Sequence, residues 1–170
     1  MLKFHKEYTK NIPDELTTNC IFCTLPDGTK GIAVTTRYVG DPEEGKKILK
    51  PFLTHQEPMI VKIDYIPYAE SQKGSDPFAP IGRNYEVRSK FLSEYSDGLI
   101  EVLLKGYASA PTPQALFFLE QGGGAIAKVA KDATAFYPRD FSYDLVLLAA
   151  WENPQDQAKS QQWLNALWQS

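Results

Sequence analysis

The chain has 170 residues, of which 43% are hydrophobic, and a net charge of −3. A chain of this length buries enough apolar surface to fold as one domain, residues 1–170, without disulfides or a structural metal. The charges are spread without a Lys/Arg run, which argues against nucleic acid or an anionic membrane as partner. No apolar run reaches the ~18 to 20 residues that span a bilayer, and no apolar signal segment opens the chain. We therefore expect a cytoplasmic protein.

The first predicted elements are a hairpin and a helix. Residues 19–25 and 31–39 are rich in β-branched and aromatic side chains, and they flank the turn sequence PDGT at 26–29. Residues 41–44, DPEE, supply a capping aspartate, a first-turn proline and acids that favour the positive end of a helix dipole. This helix should end near Leu53.

The middle of the chain predicts two more strands and a second long helix. Residues 59–66 have the composition of a strand, and residues 67–80 predict a short helix or loop with several prolines and a glycine. Residues 84–92 alternate apolar and charged side chains with the period of two that is typical of a strand. Ser96 can cap the helix that follows, and Pro111 stops it.

The last third predicts a second hairpin, a long strand and a closing helix. Residues 115–119 and 125–129 should pair across the glycines at 122–124. Residues 140–151 then form a long strand. Asn153 and Pro154 begin a helix whose tryptophan and leucine side chains should face inward.

This order of elements predicts an α+β fold with a mainly antiparallel sheet of about seven strands and helices on one face. Residues 116–119 and 145–150 are apolar at every position, which in a strand indicates burial on both faces. Helices on one side can cover only one of these faces. The other face should therefore be covered by something outside the predicted elements.

Three local patterns suggest chemistry but favour structural roles. Cys20 and Cys23 form a C-x-x-C, yet they lie on a predicted strand, where residues three apart point to opposite faces, so two structural thiols are favoured over a redox pair. His5 and His55 have no thiol or carboxylate at ligand spacing, so no metal site is predicted. The glycines at 122–124 precede a predicted strand rather than a helix, which argues against a phosphate-binding loop.

Several segments resemble the C-terminal substrate-binding region of FAD-linked oxidases of the berberine-bridge-enzyme type, within the vanillyl-alcohol-oxidase superfamily. The strongest are LEQGGG at 119–124, ATAFYPRD at 133–140 and the strand at 143–151 that ends in Trp151. Weaker ones are PDELTT at 13–18, PDGT at 26–29 and GDPEEG at 40–45. The resemblance implies a ferredoxin-like substrate domain whose sheet roofs a flavin, with substrate between the ring and the sheet.

The resemblance also implies where a catalytic base should lie. Counted back from Trp151, the acidic base of plant members falls on Val146, which cannot accept a proton. Asp144 has the same parity on the strand and is the best substitute, although it lies one pleat away, roughly 6 to 7 Å. Asp144 can equally be a solvated acid at a strand end.

Four further positions are implied to face substrate, each with a structural alternative. Glu120 can orient substrate or satisfy the amides of the glycine turn. Arg139 can bind a carboxylate or form a structural ion pair. Arg88 can hydrogen-bond substrate or belong to a charged strand surface. Tyr137 and its neighbouring proline occupy the places of the proline and histidine that are usual in the family, so no histidine role is implied.

The resemblance implies FAD, but the sequence shows no dinucleotide-binding half. Side chains cannot accept a hydride, so we expect that the isolated chain binds no cofactor and is not a competent oxidase. One interpretation is a substrate-binding subunit that acts on a small molecule, a sugar, alkaloid or polyketide, with a separate FAD-binding domain or chain as its partner. The alternatives are a flavin-independent homodimeric binding or structural module, or the remnant of a decayed gene.

Overall fold

One antiparallel sheet of five strands organises the molecule. The computed structural model describes the backbone of residues 1–170 and every side chain except that of residue 75. The strands are β1 (Leu16–Thr24), β2 (Lys30–Tyr38), β3 (Asn84–Leu92), β4 (Leu116–Gln121) and β5 (Tyr143–Trp151). Their order across the sheet is β2-β1-β4-β5-β3, and each neighbouring pair is antiparallel. The predicted α+β class with an antiparallel sheet is confirmed, whereas the ferredoxin-like arrangement stays a prediction.

Six helices connect these strands, and two of them begin at caps that the sequence predicts. They are α1 (Leu2–Tyr8), α2 (Pro42–His55), α3 (Tyr68–Gln72), α4 (Asp97–Ala108), α5 (Gly124–Lys128) and α6 (Gln157–Gln169). The Asp41 carboxylate accepts hydrogen bonds from the amides of Glu43 and Glu44 at the start of α2. The Ser96 hydroxyl accepts one from the amide of Leu99 at the start of α4, at 3.1 Å. Each cap satisfies amides that have no partner within the helix.

The predicted strand at residues 125–129 is wrong, because the structure has α5 there. The chain turns at Gly123 and Gly124, whose φ angles of 79° and 52° lie in the left-handed region. A hairpin partner for β4 also has no free edge to occupy, since β4 already lies between β1 and β5. The sequence shows a short apolar run at 125–129, but it does not show that β4 is already paired on both edges.

The predicted strand at residues 59–66 pairs with no other strand. The segment lies between Pro58 and Pro67, neither of which has an amide hydrogen to donate to a ladder. Composition indicates the local preference of the backbone, whereas a strand in a sheet also needs a neighbour. The sheet therefore has five strands instead of about seven.

Helices α1, α4 and α6 pack on one face of the sheet, which we call the closed face. Alternate residues of β5 from Tyr143 to Trp151 are buried there. Phe117 of β4 is completely buried and stacks on Trp163 of α6 with 5.6 Å between ring centroids. Burying an aromatic side chain of this kind contributes about 1.5 to 3 kcal/mol. The core of the domain is this interface between sheet and helices.

A polar network lies inside the closed face around His5 of α1. This ring is fully buried, with Nδ1 3.0 Å from the Tyr95 hydroxyl and Nε2 2.8 Å from the Thr18 hydroxyl. The Tyr95 hydroxyl donates in turn to the Leu2 carbonyl oxygen at 3.0 Å. Burial lowers the pKa of His5 to about 4. The imidazole is therefore neutral near pH 7 and links α1 to β1.

The two cysteines point to opposite faces of β1, as the sequence predicts. Cys20 is fully buried on the closed face, while Cys23 is half-buried on the other, and both thiols are free. Burial raises the pKa of Cys20 to about 12 and raises that of Cys23 as well. Neither thiol has the depressed pKa of a redox cysteine.

Candidate functional site

The second face of the sheet, which we call the open face, has an apolar centre that is only partly covered. Phe118 of β4 lies directly opposite Val146 of β5, and both side chains are half-buried. Val87 and Phe91 of β3 extend this apolar strip to the sheet edge and are 47% and 41% exposed. The apolar runs of β4 and β5 thus contribute to two faces. Helices α1, α4 and α6 cover the closed face, and on the open face Leu116 and Ala150 are buried while Val87 and Phe91 stay exposed.

Two carboxylates lie beside this strip. Glu120 of β4 is directly opposite Asp144 of β5, and cross-strand partners of this kind have Cβ atoms about 4.5 to 5.5 Å apart. Burial raises the pKa of Glu120, the charge of Asp144 raises it further, and the charge of Arg37 lowers it. Burial also raises the pKa of Asp144, whose Oδ1 atom is buried without a hydrogen-bond partner among the described atoms. This pair can take up a proton at a higher pH than an exposed carboxylate.

Arg37 of β2 is a member of this site that the sequence analysis missed. It lies on the open face, two strands from Glu120, and its Nη2 donates to the Ser71 carbonyl oxygen of α3 at 3.1 Å. The alternation of β2 places Arg37 on one face, but only the strand order shows that this face carries Glu120. The arginine therefore moderates the negative charge of the pair and contacts α3.

The structure brings together three of the residues that the sequence singles out, namely Glu120, Asp144 and Val146. Val146 lies one pleat beyond Asp144 on the same face of β5. Of the glycine-turn amides, that of Gly122 donates to the Ser142 carbonyl oxygen at 2.7 Å and not to Glu120. Asp144 is half-buried, and its Oδ1 atom is shielded from water.

Arg88 does not lie with these residues. It pairs with Leu147 of β5 on the closed face, where its guanidinium donates to Glu86 at 2.6 Å and to Asn165 of α6 at 2.8 Å. Its neighbours in β3 alternate faces, and the sequence could not say which face was open. Arg88 therefore joins the sheet to α6 instead of facing a substrate.

The corner at residues 133–140 borders the open face without joining the carboxylates. Arg139 is buried, and its guanidinium lies 5.0 Å from the ring centroid of Phe136 and donates to the Thr134 hydroxyl. The predicted ion pair of Arg139 is absent among the described residues. Phe136 contacts Phe91 of β3 edge-on at 6.2 Å, whereas Tyr137 is largely exposed. The corner thus extends the apolar strip beyond β3.

The remaining sequence patterns add no ligand site. The glycines at 122–124 are followed by α5 and not by a strand, so the argument that a following strand excludes a phosphate-binding loop is wrong. However, α5 has only five residues, and its dipole is correspondingly small. Within the described residues, no three His, Cys, Asp or Glu side chains are grouped to hold a metal. In the same part of the chain, no helix combines the length and apolarity needed to cross a bilayer.

Two proteins with similar sequences are FAD-linked oxidoreductases. The chain is 28% identical over 157 residues to an FAD-linked oxidoreductase of Dictyostelium discoideum, a match that covers 91% of this chain and 34% of the relative. It is 30% identical over 160 residues to the uncharacterized FAD-linked oxidoreductase YgaK of Bacillus subtilis, with the same coverage. The chain spans about a third of the length of these curated relatives. No protein-family model matches it.

The fold is also similar to that of a solved structure. A berberine-bridge-enzyme-like protein of Arabidopsis thaliana superposes with a TM-score of 0.80 at 14% identity, covering 99% of this chain and 39% of that protein. The sheet and helices therefore share the fold of part of that larger protein. The chain belongs to the FAD-linked oxidoreductases, of which it represents about a third, and it has the fold of the corresponding part of the berberine-bridge-enzyme-like proteins.

Proposed function

We propose that this chain forms the substrate-binding wall of an FAD-linked oxidoreductase, with the open face turned toward substrate and flavin. The observation that carries this proposal is the pairing of Glu120 with Asp144 beside the apolar strip of Phe118 and Val146. Two carboxylates with raised pKa values next to a flat apolar surface are suited to proton transfer in a site from which water is excluded.

The open face fits a flavin and its substrate. Phe118 and Val146 offer a flat apolar surface on which a planar ring system or an apolar substrate can lie. The buried Oδ1 atom of Asp144 has no partner among the described atoms, and a hydroxyl or amine of a substrate would supply the missing donor. When bound, the flavin supplies hydride acceptance, which no side chain provides.

Glu120 is the base that the geometry favours. Its pKa is raised, and Asp144 faces it directly across the strand pair. A proton taken from a substrate hydroxyl would settle on Glu120, because one proton relieves the repulsion between the two carboxylates. Asp144 accepts the second hydrogen bond from substrate and orients it. Val146 and Phe118 keep water from the reacting atoms.

The partner of the open face is the FAD-binding part that the relatives' additional length represents, on a separate domain or chain. The strip from Val146 through Val87 to Phe91 and Phe136 is apolar and partly exposed. Apolar surface of this extent is usually covered in the working protein. Docking there would bury the strip and close the site over the carboxylates.

A chimera tests this proposal. The corresponding third of YgaK is replaced by this chain, and flavin content is read from the absorbance near ~450 nm, where oxidised flavin is yellow. Bleaching is then followed without oxygen on a panel of sugars, aromatic alcohols and amines. Glu120→Gln should slow bleaching by about 10²- to 10⁴-fold, which is the usual contribution of a general base.

Two controls separate the site from the scaffold. Arg88→Gln changes a charge on the closed face and should leave the bleaching rate unchanged. Flavin content should be the same for the chimera and its Glu120→Gln variant, and the melting temperature of the variant should not be lower. A folded, flavin-loaded chimera whose bleaching is insensitive to Glu120→Gln would overturn the assignment of the base.

A second candidate is a homodimeric module that works without flavin, in which two open faces cover one another. The exposure of Val87 and Phe91 favours it, since the strip needs a cover whether or not flavin is used. FAD is titrated into the purified chain while the mass in solution is measured. A colourless dimer that ignores FAD supports this module, whereas a monomer that acquires yellow colour excludes it.

A further inference from the structure

The segment at residues 59–66, MIVKIDYI, has the composition of a strand but pairs with no other strand, and we call it the strap. Each of its residues is exposed, and its large apolar side chains are 51% to 80% exposed. Within the described part of the chain, none of its backbone N–H or C=O groups bonds to another backbone group. Pro58 and Pro67 mark its two ends. Eight residues between prolines have the length of an ordinary strand.

The strap has two chemically different sides. Every second residue, namely Met59, Val61, Ile63 and Tyr65, is apolar or aromatic, and these residues share one side when the backbone is extended. The opposite side carries one cation and one anion at its centre, flanked by isoleucines. Lys62 and Asp64 are joined on this side, with their charged atoms 3.2 Å apart. This contact between residues two apart is expected for side chains that project from the same face of a strand.

We propose that the strap pairs with the strap of a second copy of this chain, as antiparallel strands related by a two-fold axis at Ile63. In this register Lys62 lies opposite Asp64 of the second copy, and the symmetry repeats the contact. Ile60 then lies opposite Ile66, and Val61 lies opposite Tyr65. Backbone groups along one edge of each strap gain partners, and the two Lys62–Asp64 contacts, one within each chain, are replaced by two contacts between chains.

The charges select this register over its neighbours. An axis at Lys62 would place the two lysines opposite each other, and an axis at Asp64 would do the same with the aspartates. A shift by one residue would mix the apolar side of one strap with the charged side of the other. Parallel pairing in register stacks like charges as well. Only the axis at Ile63 matches both charge and side.

The pairing should be weak and should depend on concentration. Two eight-residue strands bury less surface than a standard protein interface, so a dissociation constant on the order of 10 to 100 μM is expected. The proposal is independent of the function proposed above, because it requires neither flavin nor the carboxylate pair. It also differs from a dimer through the open faces, which requires no pairing of the straps.

Exchange of the two charges tests the register. Lys62→Glu and Asp64→Lys each place like charges opposite one another in a homodimer, so each variant alone should associate at least about fivefold more weakly in sedimentation velocity. An equimolar mixture should associate as the unmodified chain does, because Glu at 62 then faces Lys at 64 across the heterodimer. The double variant Lys62→Glu/Asp64→Lys should recover as well.

A matched control and a covalent readout complete the test. Lys73→Glu makes the same charge change at an exposed lysine outside the strap, and it should not alter association. In a Cys23→Ser background, Ile63→Cys should give a disulfide-linked dimer under mild oxidation, since position 63 faces its own copy. A chain that stays monomeric at 500 μM, about five times the weakest expected constant, would overturn the proposal. So would a dimer that responds alike to Lys62→Glu and Lys73→Glu.

Discussion

The two faces of the sheet differ in whether their buried polar groups have hydrogen-bond partners. On the closed face, His5 is completely buried, and both of its ring nitrogens have hydroxyl partners. On the open face, Glu120 and Asp144 oppose each other with like charges, and one buried oxygen has no partner among the described atoms. A satisfied polar network serves the fold of this chain. An unsatisfied pair beside exposed apolar surface is what the proposed substrate-binding role of the open face requires.

Truncation of adjacent aromatic residues gives the largest expected difference between the faces. Phe117 contacts Trp163, Tyr107 and Phe22 on the closed face, so Phe117→Ala should lower the free energy of unfolding by about 3 to 5 kcal/mol. Phe118→Ala, on the open face, should cost about 1 kcal/mol. Urea unfolding followed by circular dichroism measures both. Equal losses would mean that the isolated chain covers both faces.

His5 should make the folded chain less stable as pH falls. Its pKa is about 4 in the folded chain and ~6.5 when unfolded, so the unfolded chain binds the proton first as pH falls. Between pH 7 and 4.5 this should remove about 2 to 3 kcal/mol of stability. In His5→Gln that loss should disappear, which denaturant unfolding at the two pH values can establish. An identical loss in both proteins would assign the effect to other groups.

The pair of Glu120 and Asp144 should make the folded chain more stable as pH falls. Because burial and mutual repulsion raise the pKa of Glu120, its contribution is least favourable at neutral pH and improves as pH falls and the carboxyl becomes protonated. Glu120→Gln should therefore stabilise the chain at pH 7 by up to about 1 kcal/mol, and the gain should vanish in acid. Glu57→Gln, an exposed carboxylate, is the control. Thermal melts at several pH values measure this difference. A Glu120→Gln variant that is no more stable than the unmodified chain at pH 7 would contradict the prediction.

Thiol labelling gives the smallest but most local comparison. Burial raises the pKa of both cysteines, and Cys20 is the more deeply buried. Iodoacetamide should label Cys23 slowly and Cys20 only after unfolding, as mass spectrometry of digested protein can show. A disulfide between them would require one side chain to cross the sheet. Its formation in the folded chain would contradict the placement of these residues on opposite faces.

Local patterns in the sequence were sufficient for most of the elements. The turn at 26–29, the cap at Ser96 and the alternation of 84–92 each act through neighbouring residues, and the structure has the elements they predict. The parity of Cys20 and Cys23 is local in the same sense. Resemblance in the segments around 119–124 and 133–140 was enough to identify the FAD-linked relatives.

Tertiary structure alone decided which residues meet. Strand order placed Arg37 on the face of Glu120, and register set Glu120 against Asp144. The positions of the helices determined that the face of β3 that carries Arg88 is the closed face. The sequence determined the period of each strand and therefore which residues share a side. Which side is covered, and by which neighbour, depends on contacts between residues far apart in the chain, and these form only when the sheet and helices pack together.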